Sequence, residues 1–222
     1  MSNLLHFIFN QIIEIKKPNQ PLVVGINGVD TSGKTELTKK LSDYLQANGK
    51  KVQTVHTDDF HNPKKIRYDG PDEAKNYYLK SFDYTKITTE ILEPIKQNNC
   101  LQKTITHLNL QTDEFDLIKT YDIDQDTFVL FEGVFLFRPE LVKFLDYKIF
   151  VHIPFEMMKQ RAAIRDLPTQ GQEVMRKYEQ KYIPAQQKYI AEISPHLIAD
   201  LVTDNTDWQN PIVVKDPTSL VF

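Results

Sequence analysis

Three of the seven glycines in this chain, Gly25, Gly28 and Gly33, fall within nine residues. A chain that uses so little glycine elsewhere has a backbone reason to concentrate it there. The run Gly28-Val29-Asp30-Thr31-Ser32-Gly33-Lys34-Thr35 satisfies G-x-x-x-x-G-K-[ST]. Such a loop turns its backbone N–H groups inward on a polyphosphate, and the helix that follows adds the partial positive charge of its N-terminus. Lys34 then reaches the β- and γ-phosphates, and the Thr35 hydroxyl is placed to coordinate Mg²⁺. A glycine-rich turn with an exposed lysine would fit the same letters. The apolar run before the loop and the helical pattern after it favour a nucleoside triphosphate site, which is the reading adopted.

Two acidic sites have the spacing to serve that phosphate. Thr57-Asp58-Asp59-Phe60-His61 follows a strand pattern. A carboxylate there can take the proton of a substrate hydroxyl or help to hold Mg²⁺, whereas a bland Asp pair would cap the next segment. Phe131-Glu132-Gly133 ends an apolar run, the place for an outer-sphere Mg²⁺ ligand. No Asn/Thr-Lys-x-Asp string for reading guanine and no serine-glycine signature of an ABC-type ATPase occurs, and motor or helicase classes need a longer chain. A small-molecule kinase is the class that remains.

These residues need a frame. Residues 21–26 read as a buried strand, and 34–48 as a helix with Leu37, Leu41 and Leu45 inward and Asn48-Gly49 as its stop. A strand follows at 51–57, a loop at 62–72, helices at 73–80 and 84–97, and an alternating hairpin at 103–121. Residues 127–131 and 147–153 are unbroken apolar runs, as buried parallel strands require. Helices at 155–165 and 172–192 precede a last strand at 199–203. Strands alternating with helices predict an α/β fold: a P-loop NTPase-type sandwich with a mostly parallel central sheet, helices on both faces, a small β-hairpin and a short lid. Phe7, Ile8, Ile12 and Ile13 predict an N-terminal amphipathic helix. With 222 residues, no repeats and no linker, one domain spanning 1–222 is expected. Its parts are an N-terminal helix (1–20), the strand, P-loop and helix (21–49), an acceptor-site loop (58–72), the hairpin (103–121) and the lid (161–172).

Lys plus Arg number 27 against 30 Asp plus Glu, a net charge of −3. That balance predicts no nucleic-acid partner and no anionic membrane partner. The single cysteine, Cys100, excludes an internal disulfide and points to a reducing compartment. No apolar run approaches the ~20 residues of a membrane span. The start, MSNLLHFIFNQ, lacks the features of a secretory signal, so the cytoplasm is expected. The acidic cluster Asp113, Asp116, Asp122, Asp124 and Asp126 lacks the spacing of a calcium loop and reads as a solvated rim.

The P-loop, Asp58-Asp59-Phe60, Phe131-Glu132-Gly133 and Arg161-Ala162-Ala163-Ile164-Arg165-Asp166, in that order, resemble the uridine kinase family, a group that also includes phosphoribulokinases, nicotinamide riboside kinases and one type of pantothenate kinase. The resemblance runs from about Pro21 to Asn205 and takes in Tyr182-Ile183-Pro184-Ala185 and Ala199-Asp200-Leu201-Val202. It implies an ATP- and Mg²⁺-dependent phosphotransferase acting on an alcohol group, with Asp58 as the general base and as a possible Mg²⁺ contact. It also implies that Thr35 and Glu132 organise Mg²⁺, that Lys34 and the loop Gly28 to Thr35 hold the phosphates, and that Arg165 neutralises the transferring group from the lid. Arg161, one helical turn earlier, shares that face. The turn Asp204-Asn205-Thr206 is implied to border the adenine.

Ala162, Gln170 and Gln172 stand where the family typically has arginines, and Tyr68-Asp69-Gly70-Pro71-Asp72 replaces a His-Pro-Asp loop. The residues expected at the acceptor are Asp58, His61, Tyr68, Asp69 and His107. A nucleoside is the expected acceptor. A pantothenate-like acid, a vitamin riboside or a sugar phosphate is the alternative, with Lys64, Lys65 and Arg67 as the basic residues a phosphorylated acceptor would need. A nucleotide-binding regulator with little catalysis is the remaining reading. The expected partner is a small molecule, and a homo-oligomer is compatible with the sequence.

Overall fold

The computed structural model describes every residue from Met1 to Phe222. Its eight strands are β1 (Leu22–Gly28), β2 (Val52–His56), β3 (Leu101–Asn109), β4 (Glu114–Ile123), β5 (Phe128–Gly133), β6 (Tyr147–His152), β7 (Leu201–Asp204) and β8 (Ile212–Val213). Six of them form one sheet in the order β2-β5-β1-β6-β7-β8, parallel except for β8. Every residue of β1 and of β5 is buried. Both faces of these central strands are covered, which is why they read as continuous apolar runs instead of alternating ones. One face lies beneath the helices Ser2–Ile15 and Lys34–Ala47 through Ile8, Ile12, Leu37, Leu41 and Leu45. The other face carries the larger core, which includes Tyr77, Ile91, Phe131, Phe135 and Tyr189. β3 and β4 form a separate antiparallel ribbon whose register shifts between His107 and Leu108. No helix is long and apolar enough to cross a membrane.

Several elements differ from the sequence pattern in ways that have physical causes. The buried stripe of the N-terminal helix is Leu4, Leu5, Ile8 and Ile12, while Phe7 faces outward. The hairpin is two residues longer at each end than 103–121. The expected loop 62–72 contains a short helical turn, Lys64–Arg67. The two long helices each contain one π-turn, Thr88–Leu92 and Tyr178–Tyr182. Each π-turn is followed by a proline in the second position of the next segment, Pro94 and Pro184. A proline has no N–H for the usual helical bond, and its ring crowds the carbonyl four residues back. One widened turn absorbs both problems without ending the helix. The C-terminal tail was not legible: Phe222 packs edge-on to His152 with ring centroids 4.9 Å apart.

Candidate active site

β1 runs directly into the phosphate loop. A Cβ on Gly28 would lie 2.4 Å from the Val151 carbonyl oxygen of the neighbouring strand, so only glycine fits there. Gly33 caps the helix Lys34–Ala47 at φ +94°, and a Cβ on it would lie 2.4 Å from Asn205 Nδ2. Thr31, β-branched and at φ +57°, holds a conformation such residues rarely adopt. It is fixed from outside: Thr31 Oγ1 donates to the Met158 carbonyl at 3.2 Å, and Arg161 Nη1 donates to the Thr31 carbonyl at 3.1 Å. The amides of Thr31, Gly33, Lys34 and Thr35 donate to no acceptor in the chain. Those four donors fit a polyphosphate. The Asp30 amide does not join them, because it donates to Gln186 Oε1 at 2.8 Å. Lys34 is 8% exposed, with Nζ donating to the Val29 carbonyl at 2.8 Å.

The parallel register brings the acids to the same end of the sheet. Glu132 ends β5 opposite Ile26 of β1 and His56 of β2. Its Oε1 accepts from Thr35 Oγ1 at 3.2 Å and lies 2.7 Å from His56 Nδ1. Burial works to raise the Glu132 carboxyl, but the His56 hydrogen bond and the Lys34 charge hold it below its ordinary value. The same bond raises His56. Asp58, exposed on the 3₁₀ turn Thr57–Phe60 that follows β2, makes no side-chain hydrogen bond. Asp30, Lys34, Thr35, Asp58, Glu132, Arg161 and Arg165 line one cleft of about 470 Å³. No three His, Cys, Asp or Glu side chains converge as a metal cage. A hydroxyl beside a carboxylate suits Mg²⁺, which is ordinarily held by one or two carboxylates together with substrate phosphates.

The two arginines differ. Arg161 Nη2 donates to the carbonyls of Asn205 at 2.6 Å and Thr206 at 3.2 Å, so this side chain ties the phosphate loop to the turn after β7. Asn205 Nδ2 completes the tie by donating to the Ser32 carbonyl at 2.6 Å. Arg165 is 61% exposed and held by a bidentate pair with Asp166, at 2.7 and 2.9 Å, and by the Tyr178 hydroxyl at 3.2 Å. Beside the cleft, and sharing Gly33, Glu36 and Arg161 with it, lies a mostly apolar cavity of about 330 Å³ walled by Met1, Leu4, Leu37, Ile164, Trp208 and Pro211.

The expected acceptor residues separate into two groups. His61 is at the cleft, its Nδ1 2.7 Å from the Asp58 carbonyl oxygen and its ring beside Phe82, and burial lowers its pKa. The Tyr68 ring lies under the Lys181 ammonium at 4.8 Å. Asp69 instead pairs with Lys80 at 2.9 Å on the exposed rim. His107 is buried with both ring nitrogens engaged, by the Asp59 carbonyl at 2.9 Å and the Tyr121 hydroxyl at 3.1 Å, so it buttresses the Asp58 turn from behind. Tyr77, which no site expectation from the sequence includes, donates its hydroxyl to Asp30 Oδ2 at 3.2 Å, beside Gln186 Nε2 at 2.7 Å. Burial, with the nearby Asp58 charge, raises the Asp30 carboxyl although Lys34 opposes it. Gln186, Tyr178 and Lys181 are likewise outside the site expectations from the sequence, and Asp166 enters them only as the last residue of the arginine motif. The one signal that could have found them is a charged and aromatic helix stretch running into Pro184.

The model of the phosphoribulokinase/uridine kinase family matches residues 23–206. The nicotinamide riboside kinase of Saccharomyces cerevisiae is 29% identical over 65% of this chain and 65% of its own length. A uridine kinase of Leuconostoc citreum is 25% identical over 91% of each chain. Among solved structures, a possible uridine kinase from Bacillus stearothermophilus is similar with a TM-score of 0.72 and 28% identity, covering 90% of this chain and 97% of that one. The phosphoribulokinase of Rhodobacter spheroides shares the fold at a TM-score of 0.56 and 12% identity, over 91% of this chain and 75% of its own. The chain belongs to the phosphoribulokinase/uridine kinase family and is a small-molecule kinase, a phosphotransferase acting on a hydroxyl group.

Proposed function

We propose that this member of the phosphoribulokinase/uridine kinase family transfers the γ-phosphoryl group of ATP, with Mg²⁺, to an alcohol on a metabolite about the size of a riboside. The observation that carries the reading is the cleft itself. It gathers Lys34, Thr35, Asp58, Glu132 and Arg165 from four separate stretches of chain around the free amides of the phosphate loop. The chemistry Mg²⁺ would supply there, when bound, is neutralisation of phosphate charge. Thr35 and Glu132, with Asp58 near them, are the residues that would hold it.

The acceptor hydroxyl oxygen bonds to the γ-phosphorus as the bond from that phosphorus to the β,γ-bridging oxygen breaks, and ADP leaves. Asp58 receives the hydroxyl proton: it is the acid in the cleft whose carboxylate is not taken up by another side chain. Lys34 and the amides of Thr31, Gly33, Lys34 and Thr35 hold the phosphates in line. Arg165, oriented by Asp166, faces the charge that spreads over the transferring group. The apolar cavity beneath Trp208 and the N-terminal helix receives the donor base, next to the turn Asp204-Asn205-Thr206. Residues 1–222 act as one domain, with 161–172 as its lid.

Uridine and nicotinamide riboside are acceptors named for the relatives, and they head the panel to be tried here. The test is ADP release from ATP and Mg²⁺ across nucleosides, nicotinamide riboside, pantothenate and ribulose 5-phosphate. Asp58→Asn is expected to lower kcat by about 10²–10⁴-fold while leaving ATP affinity within about threefold of wild type. Near-normal turnover by that variant would remove Asp58 from the base role.

A further inference from the structure

Lys181 is a charged group that the chemistry above does not use. It is 7% exposed, yet its ammonium pairs with no carboxylate and hydrogen-bonds to no oxygen of the chain. Instead Nζ lies over three tyrosine rings, 4.8 Å from the centroid of Tyr68, 5.5 Å from Tyr77 and 5.2 Å from Tyr182. Ring faces offset only part of the hydration an ammonium loses, and Nζ, which is not among the fully buried unpartnered atoms of the chain, keeps an opening to solvent through which an anion could reach it. Burial accordingly pulls Lys181 below the ordinary lysine value. Glu73 opposes that shift, and Arg67 adds to it.

Arg67 is a second under-paired cation at the same place. Its side chain is 12% exposed, its Nε is buried without a partner, and its nearest carboxylate contact, to Asp113, is a long 3.5 Å. The guanidinium stands 5.4 Å from the Tyr68 ring centroid. His61, on the Asp58 carbonyl, feels the charges of Asp58, Arg67 and Lys181 together. From the tyrosine box to the cleft the path is one side chain long: the Tyr77 ring faces Lys181, and the Tyr77 hydroxyl donates to Asp30 in the cleft. The π-turn Tyr178–Tyr182, set by Pro184, gives Lys181 and Tyr182 this inward direction. Such turns recur at functional sites. Lys64 and Lys65, the basic residues the sequence suggested beside Arg67, are exposed.

We propose that the acceptor carries an anionic group, a carboxylate or a phosphate, which Lys181 and Arg67 bind within the box of Tyr68, Tyr77 and Tyr182 while the hydroxyl of the same molecule lies at Asp58. The proposal rests on the kinase reading and narrows its substrate to acid-bearing alcohols.

The test compares acceptors in matched pairs: pantothenol with pantothenate for a carboxylate, ribulose with ribulose 5-phosphate for a phosphate, and nicotinamide riboside with its carboxylate analogue. The anion-bearing member of at least one pair is expected to exceed the member without the anion by at least about tenfold in kcat/KM. Which pair responds identifies the anion. Lys181→Gln should then raise the KM for that acceptor by roughly 10–100-fold, as loss of a charge-assisted hydrogen bond does, with kcat and the KM for ATP changed less than about threefold. Equal use of the members with and without the anion, or an unchanged acceptor KM in a Lys181→Gln protein of normal melting temperature, overturns the proposal. Should Lys181→Gln fail to fold, Arg67→Gln is read by the same criteria. If no pair is phosphorylated, the acceptor part of the kinase reading fails, and binding of inorganic phosphate and malonate is measured with ADP and Mg²⁺ saturating the phosphate loop. Binding that Lys181→Gln abolishes keeps the anion site, and no binding to the wild type removes it.

Discussion

The proposed donor half and the proposed acceptor half of the cleft are built by different means. Around the phosphate loop the recognition groups are mostly backbone. Free amides, the Arg161 donors to the carbonyls of Thr31, Asn205 and Thr206, and glycines with no room for a Cβ leave little freedom in side-chain choice. Across the cleft, Asp30, Asp58 and His61, Arg67, Tyr77, Lys181 and Gln186 come from several separate segments and meet mostly through side chains. Backbone recognition ties a function to a short contiguous motif that tolerates few substitutions. Side-chain recognition lets one frame accept new alcohols by changing residues one at a time, which is how a single fold supports many substrates.

Breaking each half separately sharpens that contrast. The largest effect belongs to Gly33→Ala. It puts a Cβ against Asn205 Nδ2 at 2.4 Å in a left-handed backbone conformation, so ATP affinity should fall by about 10²-fold or more through strain at the loop. The KM for the acceptor should move less than about threefold, and titrations of each ligand read the two separately. An equal loss in both would mean that the halves are coupled.

Tyr77→Phe is the reciprocal change at the acceptor. It removes the donor to Asp30 and should raise the acceptor KM by about tenfold, as one charge-assisted hydrogen bond is worth, while ATP affinity stays within about twofold. An ATP defect as large as the acceptor defect would return Asp30 to the donor side.

The smallest effect is one of stability, at the joint between the halves. Asp166 is buried and accepts from Arg165 and from the Tyr178 hydroxyl at 2.9 Å. Burial works to raise its carboxyl, but these partners hold it below its ordinary value of 3.8. A depressed acid contributes stability above its unfolded pKa and loses it as the pH falls through the folded one. Because Arg165 is largely exposed, the pair is worth about 1 kcal/mol, so Asp166→Asn should lower the melting temperature by about 2–4 °C at pH 7. The gap should close as the pH drops below 3.8. A gap that is constant with pH would show that packing, not charge, is what Asp166 contributes.

Legibility in the sequence followed the same division. Gly28 to Thr35, the central strands and the helix at 155–165 were readable because each is one continuous stretch whose periodicity or spacing records its own environment. The acid at the end of β5 was readable for the same reason. His107 was expected at the acceptor, but it lies behind the Asp58 turn with both nitrogens occupied, since a loop histidine carries no mark of the side it faces. Lys181 carries no mark in the sequence, because burial is a property of its neighbours and not of its own spacing.

The amino-acid sequence by itself determined a nucleotide-binding α/β kinase fold and the loop proposed to hold the phosphates, because hydrophobic periodicity and a backbone-defined motif are local. Only the tertiary structure decided which side chains line the proposed acceptor side. The parallel register places Glu132 beside Thr35, Pro184 forces the π-turn that directs Lys181 inward, and Tyr77 joins that lysine to Asp30. The first and last of these depend on contacts between residues far apart in the chain, and the π-turn, although local, gives Lys181 its surroundings only once the sheet and its helices have packed.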